Sequence, residues 1–376
     1  MPKQCFIDPT TLLQFDFGAH HPFKIYRLGL TYDLIQAYGL IDRPNVYVLS
    51  PREATQEEAT GFHSQGYVET LRVASDGMWV PNLFSHGLGT SDNPVFPDVY
   101  EWGMRVAGAS IVCAEELLSG RANRAFNISG GLHHAMPSRA SGFCHINDGV
   151  LAIQTMVRAG KRVAYVDIDA HHGDGVQHAF YASPDVLTIS VHQTGYTIFP
   201  GTGFVEEIGQ EGGRGAAINV PLQPGAGDDA YERALDAVIL PTLRAFQPDI
   251  LVTQLGSDAI VGDVVANLRM SLRQFERTVQ AYRDLGIPWL ALGGGGYDVG
   301  NVVRAWTLAW SILTDVDLPE RIPEEWLTRA AGHGITISKL RGSVERTPTD
   351  DAALEDLEKT IDALRARAFP ILGVSE

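Results

Sequence analysis

The run Asp167-Ile168-Asp169-Ala170-His171-His172-Gly173-Asp174-Gly175 sets carboxylates and imidazoles at alternate positions directly after the apolar segment Val163-Ala164-Tyr165-Val166. Alternate residues of an extended chain project to one side, so Asp167, Asp169 and His171 are expected to share a face. A carboxylate and an imidazole two residues apart can hold one divalent ion together, and the set suits zinc or iron(II). A bound metal is therefore expected.

Four other segments place polar residues beside glycines. They are Gly130-Gly131-Leu132-His133-His134-Ala135, Ser141-Gly142-Phe143-Cys144, Gln254-Leu255-Gly256-Ser257-Asp258 and Leu292-Gly293-Gly294-Gly295-Gly296-Tyr297. Each alone is a weak signal, because a His-His pair is usually structural and a glycine run is usually a tight turn. Five such segments, each just after a strand-like run or in the loop beyond it, describe one site.

The elements that must position them follow from hydrophobic periodicity. Short β-branched runs alternate with longer amphipathic segments, the pattern of βαβ units around a mainly parallel sheet. Strands are expected over residues 46–49, 125–129, 163–168, 186–191, 217–220, 250–255 and 289–292. Helical spacing marks 103–118, 150–157 with Asp148 as its cap, and 350–367 with Leu354, Leu357, Ile361 and Leu364 on one face. Glycine-rich loops such as 199–203 and 293–296 directly follow strands, where open α/β sheets place their ligands. No repeat interrupts the pattern, so one α/β domain is expected over 1–376, with a catalytic core of about 18–315 and a helical extension of about 320–376.

Composition narrows the function. The 376 residues carry a formal charge of -16 and no basic cluster, which argues against a nucleic-acid partner. No run of 18 apolar residues occurs, and the stretch from Met1 to Phe6 has no signal-peptide character, so a membrane partner is not expected. Cys5, Cys113 and Cys144 form neither a disulfide framework nor a CxxC site, which fits a cytoplasmic protein. The sequence gives no oligomeric state.

From about His21 to Trp310 the five segments stand in the order and spacing of the zinc-dependent histone deacetylase family. The chain resembles in particular its class I-like bacterial members, including the acetoin utilization deacetylases. The resemblance implies an arginase/deacetylase-type α/β domain and a zinc hydrolase that removes acetyl groups from lysine side chains and releases acetate. It implies zinc ligands Asp169, His171 and Asp258, with iron(II) as a substitute in the cell. It makes His133 and His134 tandem imidazoles oriented by Asp167 and Asp174, with His134 as general base, and Tyr297 the donor to the oxyanion. Phe143 and Phe199 become the walls of the lysine channel, with Gly142 accepting the substrate amide N–H, and Asp92 the rim acid that holds the substrate backbone.

Two potassium sites follow from the same resemblance. One uses Asp167, Asp169 and Ser190 side chains with the His171 and Val191 carbonyls, and the other uses carbonyls of Phe180, Ser183 and Val186 with a partner near Ala216. For Arg27 two readings stay open, an internal acetate cavity or a structural or surface role. His145 departs from the tyrosine common in the family, and the first helical region lacks a basic inositol-phosphate pocket, so corepressor-complex behaviour is not implied. Cys144 reads as a small core residue with redox sensitivity left open.

Three alternatives compete. The substrate could be an acetylpolyamine or another small acetylated amine in place of protein acetyl-lysine. A binuclear manganese ureohydrolase shares the fold type, although Asp258 is followed by Ala259-Ile260 with no second carboxylate. A non-catalytic acetyl-lysine binder would not require the intact polar set.

Overall fold

The computed structural model describes residues 3–374. Eight strands form one sheet: β1 (Gln4–Ile7), β2 (Val46–Leu49), β3 (Arg124–Asn127), β4 (Val163–Asp167), β5 (Val186–Gln193), β6 (Ala217–Leu222), β7 (Ile250–Gln254) and β8 (Trp289–Leu292). Their order is β2-β1-β3-β8-β7-β4-β5-β6 and every pairing is parallel. Helices cover both faces, so β4, β5 and β7 are buried at every position and read as continuous apolar runs. The half-buried β2 lies at one edge.

Seven of the strands fall where hydrophobic runs predict them, β2 and β8 at the same bounds and the others with ends displaced by at most two residues. β1 was not anticipated from the sequence, because a four-residue run that opens on Gln4 carries too little periodicity. The second helix differs at its cap. It spans Asp148–Arg158, and Asn147, not Asp148, caps it by accepting the Val150 N–H at 3.1 Å. Asp148 is instead wholly buried and accepts the N–H groups of Gly131 and Leu132 and the Ser110 hydroxyl. The helix expected at 103–118 begins one turn earlier, spanning Val99–Leu118.

The C-terminal segment is packed into the same core as the sheet. Helix Pro348–Arg367 lies on β6 and on helix Asp228–Ala234, burying Leu357, Ile361 and Leu364 with Leu354 half-buried. Trp326, on helix Glu324–Ala331, is 1% exposed and donates its indole N–H to the Leu30 carbonyl at 2.9 Å. No helix among the described residues is long and apolar enough to cross a membrane. Trp326→Ala should remove that contact and leave a cavity, at about 3–5 kcal/mol by urea unfolding. A loss under about 1 kcal/mol would show that the C-terminal helices are not integrated with the core.

Candidate metal centre and active site

Four adjacent strands, β3, β8, β7 and β4, end on the same side of the sheet. Their outgoing loops carry His133 and His134, the glycine run with Tyr297, Asp258, and the Asp169-to-Asp174 segment respectively. Parallel strands thus bring together residues that are far apart in sequence, at the carboxyl edge where such sheets bind ligands.

At the centre, one ligand atom from each of Asp169, His171 and Asp258 lies within 4.8 Å of the others, and all three residues are buried. His171 Nδ1 is 3.0 Å from both Asp169 Oδ1 and Asp258 Oδ2. The protein pins the remaining carboxylate oxygens. Asp169 Oδ2 accepts from the Gln254 amide at 2.7 Å and from Gly295 N–H at 2.8 Å, while Asp258 Oδ1 accepts Ala170 N–H at 2.8 Å. A Cβ on Gly295 would meet Asp258 Oδ2 at 2.2 Å and Asp169 Oδ2 at 2.6 Å, so only glycine lets the loop close over the trio.

Two buried carboxylates share one imidazole, and the electrostatics reflect the mismatch. Burial disfavours a charged His171, yet Asp169 and Asp258 outweigh it and push the ring up to about 10. Burial and repulsion from Asp169 push the Asp258 carboxyl upward. Two oxygens and one nitrogen with surplus negative charge fit a divalent cation, and three protein donors leave room for water and substrate. Among the described residues this is the one such trio.

The two histidines beside it are held as a pair. His133 Nδ1 donates to Asp167 Oδ2 and His134 Nδ1 to Asp174 Oδ1, both at 2.7 Å, and the two Nε2 atoms face each other at 3.0 Å. With both Nδ1 hydrogens committed to carboxylates, the Nε2 contact needs one proton between the rings. Burial opposes charge on His133, but Asp167 and Asp169 prevail and push it up to about 9. Burial, then the charge on His133, pushes His134 down to about 4. Charge is thus favoured on His133 and opposed on His134, whose Nε2 faces His133.

A narrow cavity of about 20 Å³ joins these groups and is lined by Gly142, Phe143, Tyr297, His134 and Asp169 among others. Phe143 meets Tyr297 edge-on, with ring centroids 5.6 Å apart, and Phe199 meets His134 edge-on at 4.9 Å. A Cβ on Gly142 would lie 2.3 Å from the His134 ring and 2.8 Å from Phe199, so this position threads between them. Phe143 holds φ at +68°, a costly conformation for an aromatic residue and one that the site retains. The Tyr297 hydroxyl has no hydrogen-bond partner among the described residues.

Asp92 is exposed, and only its carbonyl is tied to the site, bonded to His21, whose ring abuts Phe143. For the first cation site, the sheet register sets Asp167 beside Ser190, whose hydroxyl bonds His192 Nδ1 at 2.8 Å. For the second, Phe180 and Ser183 share a turn and the Ala216 carbonyl accepts Thr188 N–H. Arg27 is no surface residue. It is 2% exposed and donates to the Gly296 and Gly294 carbonyls at 2.6 and 2.8 Å. His145 is buried and bonds the Pro94 carbonyl. Cys144 is buried with its thiol pushed well up, which favours the unreactive core role.

Three supporting residues escaped the sequence analysis: Gln254, Asp148 and Tyr165, whose hydroxyl donates to Asp167 Oδ2 at 2.7 Å. A signal existed for Tyr165 and Gln254, since each lies on a buried strand, Tyr165 at the same parity as Asp167. A divalent-metal titration should find one tight site per chain. Loss of a second-layer partner costs about 10–100-fold in metal affinity, so His171→Ala and Asp258→Ala should each exceed about 10²-fold. Unchanged stoichiometry and affinity in either variant would remove that residue from the site.

Comparison with known proteins identifies the family. Residues 21–313 match the model of the histone deacetylase domain. The chain is 37% identical over 337 residues to the acetoin utilization protein AcuC of Bacillus subtilis (strain 168), covering 88% of this chain and 87% of that protein. It is 41% identical over 311 residues to histone deacetylase 9 of Arabidopsis thaliana, covering 82% and 72%. A crystal structure of an HDAC homolog complexed with SAHA superposes with a TM-score of 0.87 at 30% identity, over 97% of this chain and 100% of that one. With one parallel sheet, one buried trio and matches of this extent, the chain belongs to the histone deacetylase family.

Proposed function

We propose that this protein is a zinc-dependent lysine deacetylase that hydrolyses the acetyl amide of acetyl-lysine in proteins and releases acetate. The observation that carries the reading is the convergence of the Asp169–His171–Asp258 trio, a neutral His134 and an unpartnered Tyr297 hydroxyl on one narrow cavity. A bound divalent ion held by the trio would supply the Lewis acidity that polarises the amide carbonyl and acidifies the attacking water.

The chain's own residues supply the rest. In turnover His134 Nε2 exchanges its contact with His133 for the attacking water, takes that water's proton and returns it to the departing lysine nitrogen, with Asp174 holding its tautomer. His133, charged against Asp167, stabilises the negative charge that develops nearby. Tyr297 donates its hydroxyl to the oxyanion. Phe143 and Phe199 flank an apolar stem, and the Gly142 carbonyl is available to the substrate amide N–H. The exposed Asp92 lies on the loop that His21 ties to Phe143, in keeping with a contact to the substrate backbone.

Excess carboxylate charge around Asp167 and Asp169, with Ser190 beside Asp167 in the sheet register, supports a potassium ion there, and the His171 and Val191 carbonyls join it on resemblance. A second at Phe180, Ser183, Val186 and near Ala216 rests on resemblance. We assign the protein to the cytoplasm, in keeping with three buried free thiols.

Turnover of an acetyl-lysine peptide beside an acetylated polyamine tests the substrate class, and preference for the polyamine would overturn the protein-lysine reading. His134→Ala should keep its metal and lose about 10²-fold or more in kcat. Tyr297→Phe should lose about 10²–10³-fold in kcat with little change in KM, and less on a trifluoroacetyl-lysine substrate, whose carbonyl is already activated. Equal losses on both substrates would remove Tyr297 from oxyanion stabilisation.

A further inference from the structure

We infer that Asp263 is a positioning residue for Tyr297, its carboxylate fixing the main chain that aims the phenol hydroxyl at the reacting carbonyl. The inference rests on the reading of Tyr297 as oxyanion donor. Asp263 Oδ2 accepts the amide N–H of Tyr297 at 2.7 Å and that of Asp298 at 3.1 Å, while Oδ1 accepts Val265 N–H at 2.9 Å. Two consecutive amides converging on one oxygen is a task suited to an anion, because charge-assisted bonds are the stronger ones.

This carboxylate acts where the glycine run passes into a helix. Before Tyr297 run four glycines, of which Gly294 and Gly296 hold φ at +133° and +139°. None of them has a side chain to pack. After it, Asp298 caps helix Val299–Leu313 by accepting Asn301 N–H at 2.8 Å. The direction of the phenol is therefore set where a run held only through its backbone meets a helix. Its hydroxyl makes no bond of its own among the described residues, and the edge contact with Phe143 restrains the ring without fixing its depth.

Asp263 also belongs to the loop that begins with the trio residue Asp258. Gly262, at φ +94°, turns that loop back so that Asp263 faces the glycine run. Two further bonds join the same loops, Ser257 N–H to the Gly295 carbonyl at 2.9 Å and the Asn301 amide to the Val261 carbonyl at 3.1 Å. The acidic side of the centre and the hydroxyl that works opposite it are thus tied by a short bridge. A misplacement of about 1 Å at a reacting group can cost about 10²-fold, so the bridge has leverage on rate without touching substrate.

The test is a double-mutant cycle, with metal content and thermal melting measured for each variant. Asp263→Ala should lower kcat on acetyl-lysine by about 10–100-fold at nearly unchanged KM, and by less on trifluoroacetyl-lysine. Asp263→Asn keeps an oxygen that can accept both amides and should recover most of the loss. In a Tyr297→Phe background the same Asp263→Ala change should cost less than about threefold, because the hydroxyl it aims is gone. Asp263→Ser carries the same cycle should the alanine variant fail to fold. A full additional loss in the Tyr297→Phe background, or a loss confined to KM or to metal content, overturns the inference while leaving Tyr297 as donor. Wild-type turnover in Tyr297→Phe alone would instead overturn the oxyanion reading, and the inference would fall with it.

Discussion

Two carboxylates buried against a single imidazole nitrogen set the terms for everything around them. Burying unmatched charge is expensive, and here Asp169 and Asp258 both approach His171 Nδ1 at 3.0 Å with almost no solvent access. The neighbourhood answers with donors. Gln254, Gly295 N–H and Ala170 N–H hold the outer oxygens. Arg27 lies beneath the glycine run and grips its carbonyls, and burial lowers its guanidinium to about 10 while Tyr297, Asp258 and Asp169 favour its charge. The glycine at 295 follows from the same demand, because a side chain there would displace the carboxylates that surround it.

The same charge distribution separates two histidines with nearly identical hydrogen bonding. Each gives its Nδ1 hydrogen to a buried carboxylate at 2.7 Å. His133 also lies 3.9 Å from Asp169, whereas His134 faces the cation that His133 becomes. Charge is therefore favoured on one ring and opposed on the other. Adjacent residues in sequence thus differ in charge because of the groups that face each ring.

Much of this was legible in the sequence, for reasons that can be named. Strands buried on both faces write themselves as apolar runs, so β4, β5 and β7 were plain, and the polar residues just past their ends stood out against them. β1 was invisible because four residues opening on a buried glutamine show no period. The cap at Asn147 was misread because Asp148 is an equally good capping residue by type, and only its burial against Gly131 and Leu132 gives it another task. The tasks of Gln254, itself a visible polar residue on a buried strand, and of Asp263 were missed for a different reason. Each supports the centre through bonds that span distant parts of the chain, to Asp169 and to the Tyr297 main chain, and no local pattern records such contacts. The trio itself was legible by resemblance, while the charge partition within the histidine pair needed distances.

The central claim is that one divalent ion sits between Asp169, His171 and Asp258. An anomalous difference map from crystals of the protein as purified, collected across the zinc absorption edge, tests it most directly. The account predicts a single strong peak per chain bounded by those three side chains and appearing only above the edge. Two neighbouring peaks, a manganese signature, or density lying away from the trio would contradict it.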